Sequence, residues 1–135
     1  LKTQSYEQGY EVQNRQLSKA QQGELDAVLL YRSLAELVKT PEEKQVFLKI
    51  ASDEGKHAAI LKRYTGKTLA PSKTKAFIVT TLYRVFGPKL TFGLLQKGEF
   101  EAARNYTSLV VAFPRVQEII EDEIRHGNLV KAMLA

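Results

Sequence analysis

Four stretches of the chain place apolar residues at alternating intervals of three and four, the spacing that lines one face of an α-helix. The first stripe reads Ala20, Glu24, Ala27, Tyr31, Leu34, Val38, and the second Phe47, Ile50, Glu54, His57, Leu61, Tyr64. The third reads Leu95, Glu99, Ala102, Tyr106, Leu109, and the fourth Val116, Ile119, Glu123, His126, Val130, Met133. Each stripe is apolar or aromatic except for a Glu in the first and third and a Glu-x-x-His pair in the second and fourth. The exceptions sit on the faces that must be buried.

Local signals give the boundaries. Ser18 is a good N-cap for the first helix. Thr40-Pro41-Glu42-Glu43 predicts a capping box with proline in the first turn of the second, and Gly66 is its expected C-terminal stop. The Pro71-Ser72 turn opens a helical crossover through Phe86, broken at Gly87-Pro88. Phe113-Pro114 separates the last two helices. The predicted helices are 18–39, 41–64, 73–86 for the crossover, 95–109 and 114–133. Residues 1–17 form a lead-in turn or helix. This is an all-α domain spanning 1–135, a four-helix bundle of two hairpins joined by a long, partly helical crossover. Leu90, Phe92, Leu94 and Leu95 are too apolar for a free loop. The crossover is therefore expected to pack along the bundle and to offer a subunit contact in a homodimer. The connection after Gly66 is long enough to exchange hairpins between chains.

The two halves repeat. Glu24, Ala27, Tyr31, Ser33 and Leu34 recur as Glu99, Ala102, Tyr106, Ser108 and Leu109, and Asp53-Glu54-x-x-His57 recurs as Asp122-Glu123-x-x-His126. These are the two histidines of the chain. The second half is shorter between its motifs, so its helices are expected to be about a turn shorter. The repeat also selects Glu99 over Glu101, whose counterpart is Asp26, off the stripe.

A helix places residues three apart on one face, so each Glu-x-x-His aims a carboxylate and an imidazole the same way. Burying even one unpaired carboxylate costs several kcal/mol, so four in one layer need compensation. Two divalent cations neutralise four carboxylates. Oxygen and imidazole donors without thiolate suit iron or manganese rather than a structural zinc. Glu24, Glu54, His57, Glu99, Glu123 and His126 are the candidate ligands. Tyr31 and Tyr106 lie two turns beyond their own helix's Glu, in position to bond a ligand on a neighbouring helix. Asp53 and Asp122 are placed to accept the outer N–H of a histidine from the adjacent helix.

Composition narrows the partners. The absence of cysteine excludes disulfides and cysteine-ligated iron or zinc within the sequence. The net charge of +5 comes from lysines and arginines spread along the chain, so nucleic acid is not an expected partner. The apolar run from Ala76 to Leu95 is broken by Arg84, Gly87-Pro88 and Lys89, so no membrane span is expected. The polar first residues lack an apolar leader segment, and the expected compartment is the cytoplasm.

With these motifs in place, residues 18–133 resemble the rubrerythrin and ferritin-like di-iron carboxylate superfamily, in which one Glu from each of two helices joins Glu-x-x-His from the other two. The resemblance implies a di-iron centre, with manganese or zinc as substitutes. It implies that Glu54 and Glu123 bridge the metals, that Glu24 and Glu99 are terminal ligands, and that His57 and His126 cap one metal each. It further implies an oxidoreductase acting on peroxide, dioxygen or Fe(II). Two departures stand out. Rubrerythrins carry a second Glu where this chain has Ala102, and they usually carry a Cys-rich iron domain, so a peroxidase here needs a separate electron donor. The alternative reading is a non-catalytic module that holds, delivers or senses iron.

Overall fold

The computed structural model describes residues 2–134, with side chains from residue 8 onward, which leaves Tyr6 outside the described side chains. It is all-helical, with no strand among the described residues. Helix α1 spans Lys2–Leu37, α2 Pro41–Thr65, α3 Thr74–Phe86, α4 Pro88–Tyr106 and α5 Val116–Ala132, with a 3-10 turn at Thr107–Leu109 after α4. No helix among the described residues is long and apolar enough to cross a membrane.

Several expected boundaries move. Helix α1 does not begin at Ser18 but continues back to Lys2. Half of the preceding residues are Gln, Glu, Lys or Arg and none is proline, so the helix is not broken, and buried Leu17 extends its inward stripe by one turn. Ser18 spends its hydroxyl on Lys67 Nζ at 3.0 Å instead of capping. Helix α4 starts at Pro88 rather than near residue 95, because proline lacks the N–H that a first helical turn does not use. The last helix starts at Val116, two residues after the expected 114, with Pro114 and Arg115 left in the turn.

Other boundaries follow the local chemistry. Glu43 N–H donates to Thr40 Oγ1 at 3.1 Å while Thr40 N–H donates to Glu43 Oε1 at 3.2 Å, closing the capping box. Gly66 ends α2 at φ 68°, and Gly87 turns the chain between α3 and α4 at φ 85°; both are left-handed values that favour glycine. The repeat's shortened half is visible as well. Helix α1 runs from Glu24 to Leu37, whereas α4 runs from Glu99 only to Tyr106 before its 3-10 turn.

Helix α1 pairs with α2 and α4 with α5, and α3 packs along α1 and onto α4. The hairpins meet through α2 and α5, while α1 and α4 stand apart. Apolar side chains gather in two clusters. One, around Leu34, Phe47, Ile50 and Phe92, lies toward the α1–α2 turn; the other, around Leu17, Leu61, Val116 and Ile119, lies toward the opposite end. Between them sits the polar layer.

Candidate metal centre

The six stripe exceptions converge in that layer, and every one is buried. Their donor atoms form two overlapping groups: Glu24, Glu54, His57 and Glu123, and Glu54, Glu99, Glu123 and His126, with the atoms of each group within 4.8 Å of one another. Glu54 and Glu123 belong to both. Their Oε1 atoms lie between the imidazoles, 3.2 Å each from His57 Nδ1 and 3.4 and 3.5 Å from His126 Nδ1. Glu24 Oε2 lies 3.5 Å from His57 Nδ1, and Glu99 Oε2 3.5 Å from His126 Nδ1. Glu101, the rejected competitor, is exposed.

Each of the six contributes one buried atom without a hydrogen-bond partner: Glu24 Oε2, Glu54 Oε1, His57 Nδ1, Glu99 Oε2, Glu123 Oε1 and His126 Nδ1. Buried polar atoms are nearly always satisfied, so six orphans facing one another are a strong mark of an ion site. Donor spacing fits as well. Metal–donor bonds of about 2.1 Å separate two donors by roughly 3.0 Å at a right angle and 3.4 Å at a tetrahedral one. The donors here are 3.2–3.5 Å apart. The residues present fit a pair of divalent cations.

The outer atoms of the same side chains are held. His57 Nε2 lies 2.8 Å from Asp122 Oδ2 and His126 Nε2 2.9 Å from Asp53 Oδ2, each across the α2–α5 contact. These carboxylates fix the N–H on Nε2 and leave Nδ1 facing inward. Tyr31 Oη donates to Glu99 Oε1, and Tyr106 Oη donates to Glu24 Oε1 at 2.7 Å, each spanning from α1 to α4 or back. The ring planes of His57 and His126 are 27° apart, with centroids separated by 5.9 Å.

Without cations the layer is electrostatically loaded. Burial raises the Glu24 and Glu54 carboxyls, helped by neighbouring carboxylate charge, and lifts Glu99 to about 7. Burial opposes charge on His126, but the carboxylates of Glu123, Glu54 and Glu99 facing it outweigh that and carry the imidazole up to about 12; His57 is raised in the same way by Glu123, Glu24 and Glu54. Glu123 is driven the other way: the two histidines overcome its burial and hold it well below the carboxylate range. Burial and the adjacent Glu99 or Glu24 keep the Tyr31 and Tyr106 phenols protonated. The protons sit where cations would otherwise be.

Among the described residues, Gln21, Thr80 and Thr91 are buried polar groups that the stripes did not anticipate. Gln21, one turn before Glu24, donates to Lys67 O at 2.9 Å and accepts from Thr65 Oγ1 at 2.6 Å, tying the end of α2 to α1. Its signal was its position one turn before Glu24, beside Ala20, which the stripe took instead.

A helical bundle whose core carries two overlapping Glu/His groups has the donor arrangement of carboxylate-rich two-metal bundles. A sequence model of the rubrerythrin family matches residues 16–92, more than half of the chain, and the chain belongs to that family. The match contains Glu24, Glu54 and His57 but ends before Glu99, Glu123 and His126, which rest on the repeat and on the geometry. Comparison with curated proteins and with solved structures gives no match.

Proposed function

We propose that the protein is a di-iron oxidoreductase that reacts Fe(II) with peroxide or dioxygen, as a peroxidase or a ferroxidase. The observation that carries this reading is the set of six orphaned donors converging between the hairpins. Iron held there supplies one electron per ion to the oxidant. The chain supplies the rest: Glu54 and Glu123 are placed to be shared, Glu24 and Glu99 each to serve one position, and His57 and His126 to close the two ends. Asp122 and Asp53 orient the imidazoles, Tyr106 and Tyr31 hold the outer oxygens of Glu24 and Glu99, and the flanking apolar clusters limit water. Donor softness supports iron or manganese over zinc.

The test is anaerobic loading of the metal-free protein with Fe(II), counting of iron per chain, and addition of peroxide or air with absorbance followed. Two irons per chain, oxidised promptly, support the oxidoreductase. No bound iron refutes the centre. A second reading is an iron-binding module that holds, delivers or senses iron without turnover; stoichiometric iron without prompt oxidation favours it. A peroxidase of this kind takes electrons from a separate donor, and we place the protein in the cytoplasm. Exposed Phe77, Ile78, Val85 and Phe86 on α3 support a homodimer through the crossover.

A further inference from the structure

The separation of α1 from α4 leaves a cavity of about 540 Å³ whose floor includes Glu24, Glu54, Glu99 and Glu123 together with Tyr31 and Tyr106. That volume lies within the ~300–1,000 Å³ range of pockets that enclose drug-sized molecules, and hydrogen peroxide or dioxygen needs only a small part of it. Its walls are small or aliphatic: Ala20 and Gly23 from α1, Gly98 and Ala102 from α4, Val79 and Leu82 from α3. Gly23 and Gly98 occupy the same place in the two halves, each just before a ligand Glu, and a Cβ at either would meet nothing within 4 Å. Two exposed cations, Lys19 and Lys75, belong to the lining, while its carboxylates all lie at the floor.

We propose that this groove seats an amphipathic carboxylate, its hydrocarbon body along the Gly23/Gly98 walls and its anionic head at Lys19 and Lys75, and that the peroxide substrate of the centre is an organic hydroperoxide of this class. An apolar trough with cations on its lining and a reactive floor matches a hydrocarbon chain with a charged end. The substrate assignment rests on the di-iron reading above; the binding assignment does not. The balance is one O–O bond broken, one electron lost by each of two ferrous ions and two protons taken up, giving the alcohol and water.

Binding is measured on the metal-free protein with cis-parinaric acid, a fluorescent fatty acid. Saturable one-to-one binding is expected. Gly98→Leu and Gly23→Leu, which project side chains into the groove, should each weaken it at least tenfold, and Lys19→Glu/Lys75→Glu and the methyl ester of the probe should weaken it several-fold. Circular dichroism and metal stoichiometry check that each variant folds, and Ala102→Leu replaces any that does not. No saturable binding overturns the proposal, as does unchanged affinity in the filled or the charge-reversed variants. A dimer that dissociates on Gly98→Leu assigns the groove to a second copy and overturns it too. With iron bound, faster oxidation by linoleic acid hydroperoxide than by hydrogen peroxide is expected in wild type, with the preference lost in Gly98→Leu. Fatty-acid binding without iron uptake would sink the di-iron reading and the substrate assignment built on it, and leave the binding assignment standing. Prompt oxidation by hydrogen peroxide without fatty-acid binding would sink this inference alone.

Discussion

The two ends of the centre use the same residues in different surroundings. At one end His126 leans on Asp53, whose side chain is only 4% exposed and is also held by Lys49 Nζ at 2.6 Å. At the other, His57 leans on Asp122, whose side chain is 24% exposed and is paired with Arg125. A surface recess lined by Lys56, Arg63 and Arg115 reaches His57 and Asp122. The repeat therefore keeps the six candidate donors while the surroundings of their supporting carboxylates differ. A ligand set is dictated by the ions it must hold, whereas a supporting carboxylate need only stay within reach of one N–H.

The largest expected effect tests where the two ends join. Glu54→Ala or Glu123→Ala removes a donor common to both groups and should reduce bound iron from two per chain toward none. Glu24→Ala and Glu99→Ala should each spare one site, as read by metal analysis after anaerobic loading. Equal losses in all four variants would break the division into shared and private ligands.

Next come the supports. Asp53→Asn and Asp122→Asn should each lower metal affinity, by roughly 10–100-fold at the buried Asp53 and by less at Asp122, where water can replace the lost acceptor. Competition with a chelator measures both. Unchanged affinity and oxidation rate in Asp53→Asn would remove its orienting role.

Proton linkage follows. Glu99 is raised from 4.5 to about 7, so its contribution to the stability of the metal-free fold is complete below pH 4.5 and is lost as pH rises through about 7. The contribution of His126, raised from 6.5 to about 12, is complete below 6.5 and persists across neutral pH. The melting temperature of the metal-free protein should therefore fall between pH 4.5 and about 7, while metal affinity rises over the same interval and uptake releases protons into weak buffer. A metal-free melting temperature that climbs with pH there contradicts this assignment.

The smallest effect concerns packing behind the ligands. Gly127 follows His126, and a Cβ there would come within 2.6 Å of the Phe100 ring. The matching positions in the first half are Ala58 and Leu25, a larger residue with a smaller one. Gly127→Ala in a Phe100→Leu background should gain about 1 kcal/mol of helix propensity, and less when Phe100 must move aside. Thermal melts of the double-mutant cycle read the difference.

Much of this centre was legible because a buried helix face tolerates few polar residues, so Glu24, Glu54, His57, Glu99, Glu123 and His126 stood out from their stripes. The repeat separated Glu99 from Glu101 without structural help. The pairing of Tyr31 with Glu99 and of Tyr106 with Glu24 needed the structure, since helix spacing showed only which bond each phenol could not make. The true start of α1 was hidden because a cap residue such as Ser18 acts as one only where the helix already ends. Pro88 was read as a break when it is also a beginning. The groove left no mark on any single stripe, because a gap between α1 and α4 belongs to neither helix. The difference in exposure of Asp53 and Asp122 was hidden for the same reason.

The pairing of the hairpins has a consequence for assembly. Each hairpin has its own extensive helix–helix contact, but the two halves touch through α2 and α5, are bridged by the crossover α3, and are cross-braced between α1 and α4 by two tyrosine–glutamate bonds. The layer where they close is the one that carries four acids. Mutual repulsion among those acids resists closure, and charge compensation drives it. The centre thus acts as a clasp. Divalent cations held there would tie α2 to α5 and α1 to α4, adding to the join that α3 and the two tyrosine–glutamate bonds already make.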